Sequence, residues 1–325
     1  MGRPPRGSAM ALIILRRLGL FVLSLLVASV LVFLLLRLLP GNVAQVIAGT
    51  RATPEQVARI SHDLGTDRPL VQQYLSWIGG VLTGDFGTSA LNGVSVSDEI
   101  GEKLAVTAPL VAGATLLAAL VGVPLGIVAA ARHRGPAGHA LSVVSQLGIA
   151  VPSFWVGLMA TTVFAVHWRL LPAGGFPRDG WAQPDTAVRS LVLPVLTLAL
   201  LEGAVLLRFT RSATLEVLHA DYIRTARAKG LTRGRALVRH GVRNAALPVL
   251  SVLGLEFASL LLGAVVIENV FALPGIGQML IVDVGNRDLL KVQGTVLLVA
   301  VAVLVVSFLV DLGHRLLDPR LREAR

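Results

Sequence analysis

Two carboxylates sit where carboxylates are costly. Glu202 and Glu256 each interrupt an otherwise apolar run, Ser190 to Leu207 and Ala245 to Ile267. An acid in hydrocarbon costs about 2.5–3.5 kcal/mol even on the lenient insertion scale. Each must therefore face a bundle interior, a water-filled path or a partner. Three roles are open to them: polar lining of a translocation path, a proton relay, or a structural hydrogen bond or ion pair. Arg208, six residues beyond Glu202, is only loosely compatible with one helix face. A relay normally needs a chain of titratable groups, which two carboxylates do not make. His62, His133, His139, His167, His219, His240 and His314 show no ligand-like clustering. Cysteine is absent, which excludes disulfides and thiolate metal sites. No G-x-x-x-x-G-K-[S/T], H-E-x-x-H or G-x-S-x-G stretch occurs, so the chain has no phosphate cradle, zinc-protease helix or nucleophile elbow of its own.

The elements that must position these acids are membrane spans. Of 325 residues, 54 % are hydrophobic and 15 % charged, and the mean hydropathy is +0.75. A soluble domain carries about 25 % charge, so an ordinary cytosolic enzyme and a disordered chain are both excluded. Six runs approach the roughly 20 apolar residues that a bilayer helix needs: Leu18 to Leu36, Leu104 to Ala131, Ala140 to Val166, Ser190 to Leu207, Ala245 to Ile267 and Val292 to Val310. The fourth is the weakest, being short and interrupted by Glu202. The first is too long for a signal-peptide core and reads as an uncleaved anchor. The leader Met1 to Ala9, rich in Gly, Pro and Arg, reads as disordered, and Met10 offers an alternative start.

Placing both termini inside puts 19 of the 29 basic residues on the inner side, nine of them in Arg208 to Asn244. The inside is then near +14 and the outside near −2. This asymmetry accounts for the net charge of +10 as topology and lipid contact rather than nucleic-acid binding.

Between the spans, Thr53-Pro54-Glu55-Gln56 predicts a helix start, with Thr53 as cap and Pro54 at the first helical position. Arg68-Pro69-Leu70 to Val81 predicts a short amphipathic helix whose Tyr74 and Trp77 suit the membrane interface. Inside, Tyr222 to Lys229 predicts about two helical turns ended by Gly230 in the left-handed conformation. Small Thr225, Ala226 and Ala228 would let another protein approach that helix closely. Composition alone favours a basic membrane-surface element. Gly122-x-x-x-Gly126 reads as generic close packing.

From Met10 to Arg322 the chain resembles the membrane permease subunit of binding-protein-dependent ATP-binding-cassette importers, in the dipeptide/oligopeptide/nickel branch. The resemblance includes Ile14-Leu15-Arg16-Arg17, Leu36-Arg37-Leu38-Leu39-Pro40-Gly41, Leu64-Gly65 with Arg68-Pro69-Leu70, and Gly84-Asp85-Phe86-Gly87. It continues through Pro152-Ser153-Phe154-Trp155 and Leu171-Pro172-Ala173-Gly174-Gly175. Its most specific parts are Tyr222 to Leu231 with Arg239-His240 and Asn244 to Pro248, then Glu268 to Gly277, then Leu317-Asp318-Pro319-Arg320. Arg224, Thr225 and Ala226 stand where the wider superfamily has Glu-Ala-Ala, so Glu-based contacts are not carried over. Asp288-Leu289-Leu290-Lys291 departs from an aromatic–proline pair common after the Asp.

The resemblance implies an all-α, six-span, type I (MetI-like) importer permease. Residues 1–17 would be a cytoplasmic leader, 18–39 the first span, 40–103 an extracytoplasmic segment, and 104–325 the core with a coupling loop at about 208–244. The ATPase-coupling helix would comprise Asp221, Tyr222, Arg224, Thr225, Ala226, Arg227, Ala228, Lys229 and Gly230. The expected path residues are Ser153, Phe154, Glu202, Glu256 and Asn269; a loop on the binding-protein side would use Phe271, Leu273, Pro274, Gly275 and Gly277. The chain would not be an enzyme and would carry no cofactor, ATP and magnesium residing in two ATPase subunits. Further implied partners are a second, homologous permease forming a heterodimer, an extracytoplasmic solute-binding protein and the lipid bilayer, but no nucleic acid. The expected location is the cell membrane, and the expected solutes are peptides or related small molecules, nickel chelates included. A proton-driven secondary transporter using Glu256 and Glu202 is the rival reading; a scaffold or receptor that transports nothing is a third.

Overall fold

The computed structural model describes residues 6–38, 43–49, 52–63, 65–89 and 91–317. Pro40-Gly41, Leu64 and the ending Asp318-Pro319-Arg320 lie outside the described residues. In chain order the helices are α1 (Arg6–Leu38), α2 (Val43–Ala48), α3 (Pro54–Asp63), α4 (Leu70–Leu82), α5 (Val96–Ala131), α6 (Pro136–Ala150), α7 (Ser153–Ala160), α8 (Pro184–His219), α9 (Asp221–Ala228), α10 (Arg233–Ala236), α11 (Val242–Val270), α12 (Ile276–Asn286) and α13 (Leu289–Leu317). Wider π-type turns extend α7 to His167 and lead from α10 into α11. Among the described residues there is no strand, only an isolated Thr88–Ser95 bridge. Helix α1 already runs from Arg6, so the expected disorder of the leader does not hold from Arg6 to Ala9.

Five helices are long and apolar enough to cross a bilayer, and six spans result when α6 and α7 are taken as one. That third span is not the single helix expected over Ala140 to Val166. It bends by 101° between Ala150 and Ser153. Pro152 explains the elbow: it offers no N–H to the preceding turn and forces Val151 out of the helical region, to φ −85° and ψ 129°. Pro109, Pro124, Pro194 and Pro248 are accommodated inside helices.

The fourth span corrects the sequence reading most. Helix α8 has 36 residues, and 61 % of its apolar window is buried, more than in the other four single-helix spans. Its apolar run ends at Arg208, but the helix continues to His219 because nothing before Ala220 breaks it. The inner connection is accordingly shorter than Arg208 to Asn244.

The chain divides into two compact units: residues 1–102 with 279–308, and residues 103–278 with 309–325. In the first, Thr53 and Gln56 form a reciprocal capping box for α3, with Thr53 N–H donating to Gln56 Oε1 at 2.9 Å and Gln56 N–H to Thr53 Oγ1 at 3.4 Å. Tyr74 and Trp77 of α4 pack against Phe33 of α1, with ring centroids 5.5 and 6.1 Å apart. The Tyr74 hydroxyl lies 2.8 Å from Ser29 Oγ. These aromatics therefore bind helix to helix within the unit, beyond any interfacial role.

In the second unit α8 is central, packing on α6, α7 and α11. Leu110 and Ala114 of α5, Leu193 and Leu198 of α8, and Leu260, Ala264 and Ile267 of α11 share one core with Phe271 and Leu273. Gly122 has a structural reason: a Cβ there would lie 2.6 Å from the Gly203 carbonyl oxygen of α8.

Candidate functional site

The elbow, α8 and α11 bring three of the expected path residues together. Ser153, Glu202 and Glu256 line one pocket of about 190 Å³, with Gly148, Ser259 and Gly263. Glu202 is 8 % exposed. Glu256 is half-buried. Among the described residues neither carboxylate is paired with a basic side chain. Arg208 instead lies over the Phe209 ring, 5.8 Å from its centroid. Phe154 and Asn269 are not among the lining residues. Phe154 is 49 % exposed, and Asn269 Nδ2 donates back to the Val265 carbonyl at 2.8 Å.

A second constellation surrounds α9. Extended Ala220 turns the chain out of α8, and Ile223 and Ala226 bury against Ala236. The Tyr222 hydroxyl accepts from Asn244 Nδ2 at 2.9 Å, tying α9 to α11. Gly230 has φ +92°, and Leu231 N–H closes the helix on the Ala226 carbonyl at 3.2 Å. Asp221, Tyr222, Arg224, Thr225, Arg227, Ala228, Lys229 and Gly230 are exposed. Ala226, expected to help receive a partner, is 8 % exposed and faces inward. On a short helix one residue in every three or four falls on the anchoring face, and Ile223 and Ala226, three positions apart, share it. Thr225 and Ala228 supply the small outward surface.

In the loop from α11 to α12, four of the five residues expected on the binding-protein side turn inward. Phe271 is 1 % and Leu273 0 % exposed, and Gly275 and Gly277 are buried too, leaving Pro274 half-buried. Phe271, Leu273, Gly275 and Gly277 thus shape the loop from within. At its centre is Glu268, fully buried and absent from the expected site residues. Thr107 Oγ1 donates to Glu268 Oε1 at 2.6 Å. Glu268 Oε2 accepts the Gly277 and Gln278 N–H groups at 2.7 and 3.0 Å. An acid at the first turn of α12 thus satisfies donors that a helix start leaves free. The sequence signal was available, since Glu268 precedes Pro-Gly-Ile-Gly by a loop's length, but nothing in it pointed to Thr107.

Within the first unit, Lys291 Nζ lies 2.8 Å from Glu99 Oε2 and 2.9 Å from Asp283 Oδ1. Burial pushes the Asp283 carboxyl above its usual range, Glu99 and Asp288 add to the push, and Lys291 pulls against it. Asp288 accepts from Ser89 Oγ at 2.5 Å. This cluster occupies the segment that departs from the family pattern.

Comparison with known proteins agrees with this architecture. Residues 122–323 match the family described as the binding-protein-dependent transport system inner membrane component, and residues 10–110 match its N-terminal companion. The chain is 38 % identical to the dipeptide transport system permease protein DppB of Escherichia coli K12, over 96 % of this chain and 99 % of that one. It is 39 % identical to the di/tripeptide transport system permease protein DppB of Pseudomonas aeruginosa, with the same coverage. A six-span helical body with an exposed short helix, matched along both its parts, belongs to the binding-protein-dependent transport system inner membrane component family.

Proposed function

We propose that this chain forms half of a translocation path for peptides. The chain is the permease subunit of a binding-protein-dependent importer in the inner membrane, and ATP is hydrolysed in a separate subunit. Peptide as the solute is supported by the names of the relatives, a dipeptide and a di/tripeptide permease. In this reading a second, homologous permease completes the path, and two ATPase subunits bind ATP and magnesium. Both termini are cytoplasmic, as the basic surplus of the connections favours.

The observation that carries the mechanism is the mounting of α9. It presents Thr225 and Ala228 outward, while Ile223, Ala226 and Tyr222 hold it to α10 and α11. An ATPase that grips the outer face therefore pulls on α11, which carries Glu256, and on α8, which carries Glu202. Closure of the ATPases on ATP would draw two such helices together and rock the spans between inward- and outward-facing states.

The test is uptake of a labelled dipeptide by vesicles holding the permease pair, the ATPases and the binding protein. Uptake should require ATP and persist when the proton gradient is collapsed. Uptake without ATP that follows the proton gradient would establish the proton-driven rival instead.

A further inference from the structure

We propose that the pocket of Glu202 and Glu256 is a binding station for the ammonium group of the passing solute, the free amino terminus when that solute is a peptide. This rests on the reading that a solute crosses between these spans.

Glu202 is more than nine-tenths buried, has no basic partner among the described residues, and lines a cavity of about 190 Å³. Burial without a partner is the costly arrangement for a carboxylate. Glu256 enters the same cavity from the adjacent helix. Two acids in one largely apolar pocket attract a cation and disfavour an anion, and the low-dielectric walls strengthen both effects. The hydroxyl residues Ser153 and Ser259 also line it. An ammonium group has three N–H donors. Two carboxylates and a serine hydroxyl offer that many acceptors. A cavity of about 190 Å³ has room for an ammonium group and the carbon bearing it. Such a site would hold one end of the solute while the rest moves.

The chain contains no cysteine, so one introduced thiol is unique within it. Ser259→Cys places that thiol in the pocket wall. In the assembled complex it is labelled with a trimethylammonium-bearing or a sulfonate-bearing thiosulfonate. The cationic reagent should react faster, and the ratio should fall about tenfold when Glu202→Gln and Glu256→Gln are combined. Glu202→Asp and Glu256→Asp should restore the ratio. Uptake of a dipeptide with a free amino terminus should fall about tenfold in the double Gln variant, with thermal unfolding of the complex as the folding control. An unchanged labelling ratio, in a complex that still imports peptide on ATP, overturns the station and leaves the permease function standing. Loss of ATP-driven peptide uptake in the parent complex overturns the peptide reading, while the labelling ratio still reports the pocket's charge preference. Parent uptake that needs a proton gradient assigns the pair to proton carriage and overturns the station.

Discussion

Thr107 and Glu268 stand 161 positions apart, and the threonine hydroxyl donates to the glutamate at 2.6 Å. The same hydroxyl accepts the Ile276 N–H at 2.8 Å. One side chain of α5 thus holds both the end of α11 and the start of α12. The loop between those helices is built inward on a buried acid, which explains why its small and apolar residues are turned away from solvent.

Removing that acid should cost more than removing its partner. Glu268→Ala leaves the Gly277 and Gln278 N–H groups without their acceptor. A loss of about 2–3 kcal/mol follows from unpaired buried donors. Thr107→Val keeps the shape and should cost about 1–2 kcal/mol. Thermal unfolding in detergent should rank Glu268→Ala below Thr107→Val, with both below the parent.

Gly275 should resist any side chain. A Cβ there would lie 2.3 Å from the Glu268 carboxyl carbon. Gly275→Ala should therefore destabilise by about 1–3 kcal/mol, as overpacking does. Combined with Glu268→Ala the cost should be less than the sum, because the clash then disappears. A double-mutant cycle on unfolding temperatures checks this.

Lys291 neutralises two carboxylates in a buried place. Lys291→Met should cost about 3–5 kcal/mol, the price of leaving buried charge uncompensated. Adding Asp283→Asn should recover part of it. The pH dependence has a definite sign. The Asp283 pKa is raised in the folded state, so its contribution to stability is full below the unfolded value and is lost as pH rises through the folded one. Without Lys291 the carboxyl is pushed higher still. The stability gap between Lys291→Met and the parent should narrow as pH falls from about 7 to about 5.

The two faces of α9 should respond differently. Ala228→Trp, on the exposed face, should abolish coupled uptake while leaving stability within about 0.5 kcal/mol of the parent. Ala226→Leu overfills the contact with Ala236 and should lower stability by about 1–3 kcal/mol. Gly230→Ala should cost about 1 kcal/mol, since φ +92° disfavours a side chain. Transport and unfolding measured on the same preparations separate docking from folding.

Hydropathy was sufficient to read the spans because lipid demands long apolar helices whatever their neighbours. Charge counting favoured an orientation through the basic surplus of the inner connections, and the helix expected over Tyr222 to Lys229, found as Asp221–Ala228, was legible from a terminating glycine and local spacing. The burial of α8 was not legible. A helix enclosed by protein needs no apolar face toward lipid, so its run of hydrophobic residues is a poor measure of its length. The inward turn of Ala226 was equally hidden, because its contact with Ala236 depends on how α10 folds back.

The sequence by itself determined the class of protein, the apolar runs that become spans and the acids placed at a cost within hydrocarbon. Tertiary structure decided that those acids share a pocket, that Glu268 is a buried acceptor for the start of α12, and that Thr107 is its partner. The reason is range. Span length, capping and turn chemistry are set by neighbours a few positions away, whereas the meaning of a buried carboxylate depends on donors that only the packing of distant helices brings within hydrogen-bonding reach.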